Sequence, residues 1–108
     1  LEIFKYQKTN YNLYAILKDK NDDRYECGVL IEYKYRGKGY SKDALILLIK
    51  EAYKNNIHYL YDTFELDRGN TLNLFKSIGF EVVKGTTWKK FDKNVKGIIV
   101  RVDTSIFE

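Results

Sequence analysis

The amino-acid sequence predicts a mixed α/β (α+β) domain built on a mixed sheet, with elements in the order β-β-β-α-β-α-β-β. Three observations carry that reading. Short runs rich in Tyr, Ile, Leu and Val recur at both ends of the chain with polar residues between them, the pattern of strands and hairpins. Two central segments are apolar at helical spacing and are closed by Asn55-Asn56 and by Gly79. Between the third strand-like run and the first helical run stands Arg36-Gly37-Lys38-Gly39-Tyr40-Ser41, a glycine-bearing junction.

Each element has its own justification. Leu1 to Gln7 and Asn12 to Lys18 read as strands separated by Lys8-Thr9-Asn10, and Asp19 to Asp23 as a polar hairpin turn. Tyr25 to Tyr33 is the third strand, and its apolar stretch from Cys27 to Ile31 suits a buried position. The first helix runs from about Tyr40 to Lys54, with a continuous apolar stretch from Ala44 to Ile49 that predicts a helix sandwiched against the sheet. Lys50 and Lys54 suit the negative end of its dipole. His58 to Glu65 alternates as a strand, and Gly69 to Ile78 forms a short helix stopped by Gly79. The last two strands, Phe80 to Phe91 and Val95 to Val102, make a hairpin around Asp92-Lys93-Asn94. With no proline, the punctuation comes from Gly, Asn and Asp alone.

Composition bounds the rest. A chain of 108 residues forms one compact domain over residues 1–108, large enough to bury roughly two-thirds of its unfolded surface. Its 44% hydrophobic and 16% aromatic content is globular, and no apolar run approaches the roughly 20 residues that span a bilayer. The single Cys27 excludes a disulfide framework and reads as a buried thiol in a reducing compartment. No secretory leader is visible, although the chain opens on Leu1, so a cytoplasmic location is the expectation. A net charge of +4 raises nucleic-acid binding as an alternative, but Lys and Arg are scattered beside Asp and Glu and form no basic block. No Cys/His cluster exists for a metal.

The junction carries the chemistry. A helix start leaves backbone N–H groups unpaired and partially positive, so an anion held there gains hydrogen bonds and a favourable field. Gly37 and Gly39 let a ligand oxygen approach the main chain, and Arg36 and Lys38 add charge. A mononucleotide P-loop would follow its lysine with Ser or Thr, whereas Lys38 is followed by Gly39 and Tyr40. A dinucleotide fingerprint would place a third glycine where Tyr40 to Asp43 stand.

The pattern Arg36-x-x-Gly39-x-Ser41 resembles the acyl-CoA loop of the GNAT superfamily of N-acyltransferases, with Ser41 in the place of a small Gly or Ala. Downstream, Asp67-Arg68-Gly69-Asn70-Thr71-Leu72-Asn73-Leu74-Phe75-Lys76-Ser77-Ile78-Gly79-Phe80 resembles the family's second signature, a helix ending in Gly-Phe. The resemblance implies a GNAT-like mixed sheet whose two central parallel strands splay to admit the pantetheine arm of acetyl-CoA. It further implies direct transfer of an acetyl group from CoA to a primary amine in a ternary complex. The implied cofactor contacts are Ile31, Tyr33, Arg36, Gly37, Lys38, Gly39, Tyr40, Ser41, Arg68, Asn70 and Phe75, with main-chain groups near Ile31 and Tyr33 meeting the pantetheine. The slot in which many members carry a Tyr that protonates the leaving thiolate holds Phe75, which has no proton to give.

A carboxylate must take the amine's proton, and Glu65 at a strand end and Glu32 beside the loop are the candidates, although each reads first as a solvated surface glutamate. His58 reads as structural, Trp88 with Thr86 and Phe91 as either acceptor-pocket lining or packing, and Tyr59 and Tyr61 as replacements for the absent phenol if their strand aims them at the sulfur. Family members begin with a strand and one or two helices that wall the acceptor site, and no helical pattern precedes Tyr40. The sequence is then a fragment, a degenerate domain, or half of a homodimer in which a partner supplies the wall. Three functions follow: an acetyl-CoA-dependent N-acyltransferase, a catalytically silent acyl-CoA-binding or regulatory domain of the same fold, and a basic nucleic-acid-binding domain.

Overall fold

The computed structural model describes residues 2–8, 12–18, 24–31, 40–66 and 69–108. Eight main elements follow the expected order: β1 Glu2–Lys8, β2 Asn12–Lys18, β3 Tyr25–Ile31, α1 Tyr40–Lys54, β4 Tyr59–Glu65, α2 Gly69–Ile78, β5 Glu81–Lys90 and β6 Lys93–Asp103. A 3-10 turn, Thr104–Phe107, closes the chain. All six strands join one sheet in the order β1-β2-β3-β4-β6-β5. Every neighbouring pair is antiparallel except β3 and β4.

Connection handedness places the helices. The β3-α1-β4 and β4-α2-β5 units step across the sheet in one direction, so right-handed crossovers put both helices on the same face. Burial agrees with this. Leu45, Leu48, Ile49 and Ala52 of α1 and Phe75 and Ile78 of α2 share one cluster with Leu60 of β4 and Ile98, Val100 and Val102 of β6. The strand members follow the two-residue period of a pleated face. α1 packs on the sheet by one stripe, which leaves Leu47 and Tyr53 exposed on its outer side.

Both helices end in the same device. Asn56, at φ 61°, ends α1, with Asn56 N–H donating to the Tyr53 carbonyl at 3.1 Å and Ile57 N–H to that of Ala52 at 3.0 Å. Gly79, at φ 126°, ends α2, with Gly79 N–H donating to Lys76 at 3.1 Å and Phe80 N–H to Phe75 at 3.0 Å. These are Schellman closures, each with an apolar residue packed back on the last turn. The Phe80 and Phe75 rings stand 4.7 Å apart, edge to face. This is the physical content of the Gly-Phe ending.

The last hairpin corrects the sequence reading. Its turn is Phe91-Asp92, with φ values of 51° and 62°, and Lys93 and Asn94 belong to β6, paired with Lys90 and Lys89. Two consecutive positive φ values match a type I′ connection, whose twist suits the flanking strands. Phe91 is 90% exposed at the tip, away from any packing role. Among the described residues, no helix is long and apolar enough to cross a membrane.

Candidate functional site

The site begins where the sheet changes character. β3 pairs with β4 only at Tyr25 with Leu60 and Glu26 with Tyr61, although both strands continue for several residues. On its other side β3 stays zipped to β2 along its whole length, Tyr25 with Lys18 through Ile31 with Asn12. Between Cys27 and Ile31 on one side and Asp62 and Glu65 on the other, the parallel ladder is absent, so the strands part toward their C-terminal ends. That edge of β3 is left to offer main-chain groups to an extended ligand.

The start of α1 lies at the same end of the sheet, since the helix returns antiparallel to β3. Tyr40 and Ser41 form its first turn. Glu32, Tyr33, Arg36, Gly37, Lys38 and Gly39 lie outside the described residues, as does Arg68. Ile31 is the last described residue of β3, and Asn70 is exposed at the start of α2. Phe75 is buried in the core, its ring 5.1 Å from Phe64 and 4.7 Å from Phe80.

Glu65, at the far end of β4, receives Lys90 Nζ on Oε1 at 3.0 Å. Tyr59 and Tyr61 alternate with the buried Leu60 and so occupy the face opposite the helices. There the Arg101 guanidinium covers Tyr59 at 4.4 Å and that of Arg24 covers Tyr61 at 5.4 Å. His58 is exposed with its ring edge on Tyr59. Trp88 lies across the hairpin over Gly97, where an added Cβ would come within 2.0 Å of the indole. Among the described residues no cluster of three or more His, Cys, Asp or Glu could hold a metal.

One side chain at the parting was missed by sequence reasoning. Asp62 follows Leu60 and precedes Phe64 on the core-facing side of β4, opposite Val100 of β6. Its Oδ1 accepts the Thr63 N–H at 2.8 Å. Removal from water pushes its carboxyl up to about 7, and the nearby Glu26 adds to the rise against the Thr63 bond. Burial, followed by the charges of Asp62 and Glu26, also raises the Cys27 thiol well above its ordinary value. The signal was present in the sequence: period-two spacing puts Asp62 in one row with two large apolar residues.

Comparison with solved structures agrees on the architecture. yncA of Salmonella typhimurium, assigned to the acetyltransferases and holding its cofactor acetyl-CoA, superposes with a TM-score of 0.77 at 20% identity over 89% of this chain and 59% of its own. Ribosomal-protein-alanine N-acetyltransferase from Brucella melitensis matches with a TM-score of 0.79 at 19% identity, over 91% of this chain and 66% of its own. The chain has the GNAT fold. A Bacillus subtilis acetyltransferase in complex with CoA shares it with a TM-score of 0.72 at 13% identity, over 91% of this chain and 74% of its own. The chain thus spans less than two thirds of the first two of these GNAT-fold proteins. No family model and no curated protein sequence matches it.

Proposed function

We propose that residues 1–108 form one acyl-CoA-binding domain that transfers an acetyl group from CoA to a primary amine. The parting of β3 from β4 after Glu26 and Tyr61 is the observation that carries this reading. An extended pantetheine arm needs a strand edge with free main-chain groups, and a diphosphate needs a helix start; the fold brings the two to one end of the sheet. Solved proteins of this fold hold acetyl-CoA or CoA, which supports the same cofactor here.

In this reading the main chain from Arg36 through Ser41 holds the diphosphate, with Arg36 and Lys38 adding charge and with Arg68 and Asn70 as further cofactor contacts. Main-chain groups near Ile31 and Tyr33 hold the pantetheine and polarise the thioester, and Phe75 backs the cleft from the core. A neutral amine attacks the thioester carbonyl directly, so its proton needs a carboxylate; Glu65 at the strand end and Glu32 beside the loop are the candidates. The acceptor is a small-molecule or protein amine, and a homodimer is the assembly this reading allows.

A second reading, a silent acyl-CoA-binding domain, is favoured by Phe75, whose ring has no hydroxyl and is packed between Phe64 and Phe80. Calorimetric titration with CoA tests what both readings share. The wild type binds, and Gly39→Asp, which places bulk and negative charge in the cradle, loses at least tenfold in affinity. Equal affinity of the two proteins removes the loop assignment. Thiol release from acetyl-CoA with polyamines, aminoglycosides and peptide amines then separates transfer from silent binding.

A further inference from the structure

We propose that Asp62, at the fork between β3 and β4, carries the proton from the attacking amine to the departing sulfur. The proposal rests on the acyl-transfer reading above. Its geometric basis is the place of this carboxyl in the sheet. The ladder joins Tyr25 to Leu60 and Glu26 to Tyr61; the next step would set Cys27 against Asp62, and there the strands part. Asp62 is therefore the first β4 residue beyond the last paired rung, on the face it shares with Cys27.

An aspartate is otherwise out of place at this position. Leu60 before it is fully buried, Phe64 after it packs on Phe75, and Val100 faces it from β6. The titratable groups set against it, Cys27 and Glu26, both belong to β3. The Thr63 N–H fixes Oδ1 and so orients the carboxyl. Polar groups placed in apolar rows cost stability, and a function at the fork accounts for this one.

The step balances without another reagent. As the amine nitrogen bonds to the thioester carbon, the Asp62 carboxylate, in place of Glu65 or Glu32, takes an N–H proton. As the C–S bond breaks, the same carboxyl gives that proton to the thiolate, and the products are the amide, CoA thiol and the original carboxylate. A group titrating near neutrality both accepts and returns a proton readily. The absence of a hydroxyl at Phe75 is then no obstacle, because one carboxyl serves both halves of the transfer.

The test uses the full chain with acetyl-CoA and the amine panel, comparing wild type with Asp62→Asn and with Asp62→Ser, so that one variant failing to fold leaves the other. CoA affinity stays within about threefold of wild type, while thiol release falls roughly 100-fold or more. The wild-type rate also rises with pH through a step near 7 that both variants lack, a change that a merely structural role would not produce. Turnover within about fivefold of wild type with an unchanged pH profile overturns the proposal. So does CoA binding by the wild type with no thiol release from any amine, which leaves the CoA-binding reading standing. Absence of CoA binding by the wild type fells that reading itself.

Discussion

Asp62 ties stability to pH as well as to chemistry. A carboxyl raised from 3.8 to about 7 on folding keeps a proton that the unfolded chain has already released, so stability falls as pH rises across that window. The loss reaches up to about 4 kcal/mol for a shift of this size. Thermal melts of wild type and Asp62→Asn between pH 4 and 8 check this: the wild-type midpoint drops relative to the variant as pH rises, and parallel curves would contradict it. Gly97 makes a separate demand at this scale. A methyl there meets the Trp88 indole at 2.0 Å and the Phe64 carbonyl at 2.9 Å, so both the ring and a neighbouring strand must move. Gly97→Ala costs about 1–3 kcal/mol, read as a lowered denaturation midpoint.

At the scale of elements, the helix closures do the positioning. Gly79 turns the chain at φ 126° so that Phe80 packs on Phe75, and a Cβ there also meets Ile106 Cδ1 at 3.0 Å. Gly79→Ala destabilises by about 1–2 kcal/mol, checked by urea unfolding with an unchanged m-value. These closures were legible in the sequence because Asn56 and Gly79 belong to the few residue types that tolerate positive φ, and the strand and helix order follows from them. The Phe91-Asp92 turn was not legible: an aromatic residue at positive φ is no turn signal, and the cross-strand pairing of Lys90 with Lys93 decides the register. The terminal turn was hidden as well. Beside the local Asp103 cap on Ser105, it depends on Thr104 bonding back to Ile57 and His58, contacts across 46 or more residues that local patterning does not encode.

The whole molecule shows what topology adds. Neither β3 nor β4 is unusual as a strand, and nothing in Tyr25–Ile31 or Tyr59–Glu65 alone says that they pair for two residues and then diverge. The sheet order produces the fork, the crossover hand puts both helices on one face, and the antiparallel return of α1 brings its start to the open end. The fork is thus a property of the assembled fold, and only the loop from Arg36 to Ser41, proposed above to hold the diphosphate, was readable as a motif. The most direct measurement is a crystal structure of the chain grown with CoA. In that crystal the pantetheine arm lies between Cys27–Ile31 and Asp62–Glu65, hydrogen-bonded to β3, with the diphosphate at the start of α1. CoA bound elsewhere, or β3 and β4 paired along their full length, would contradict it.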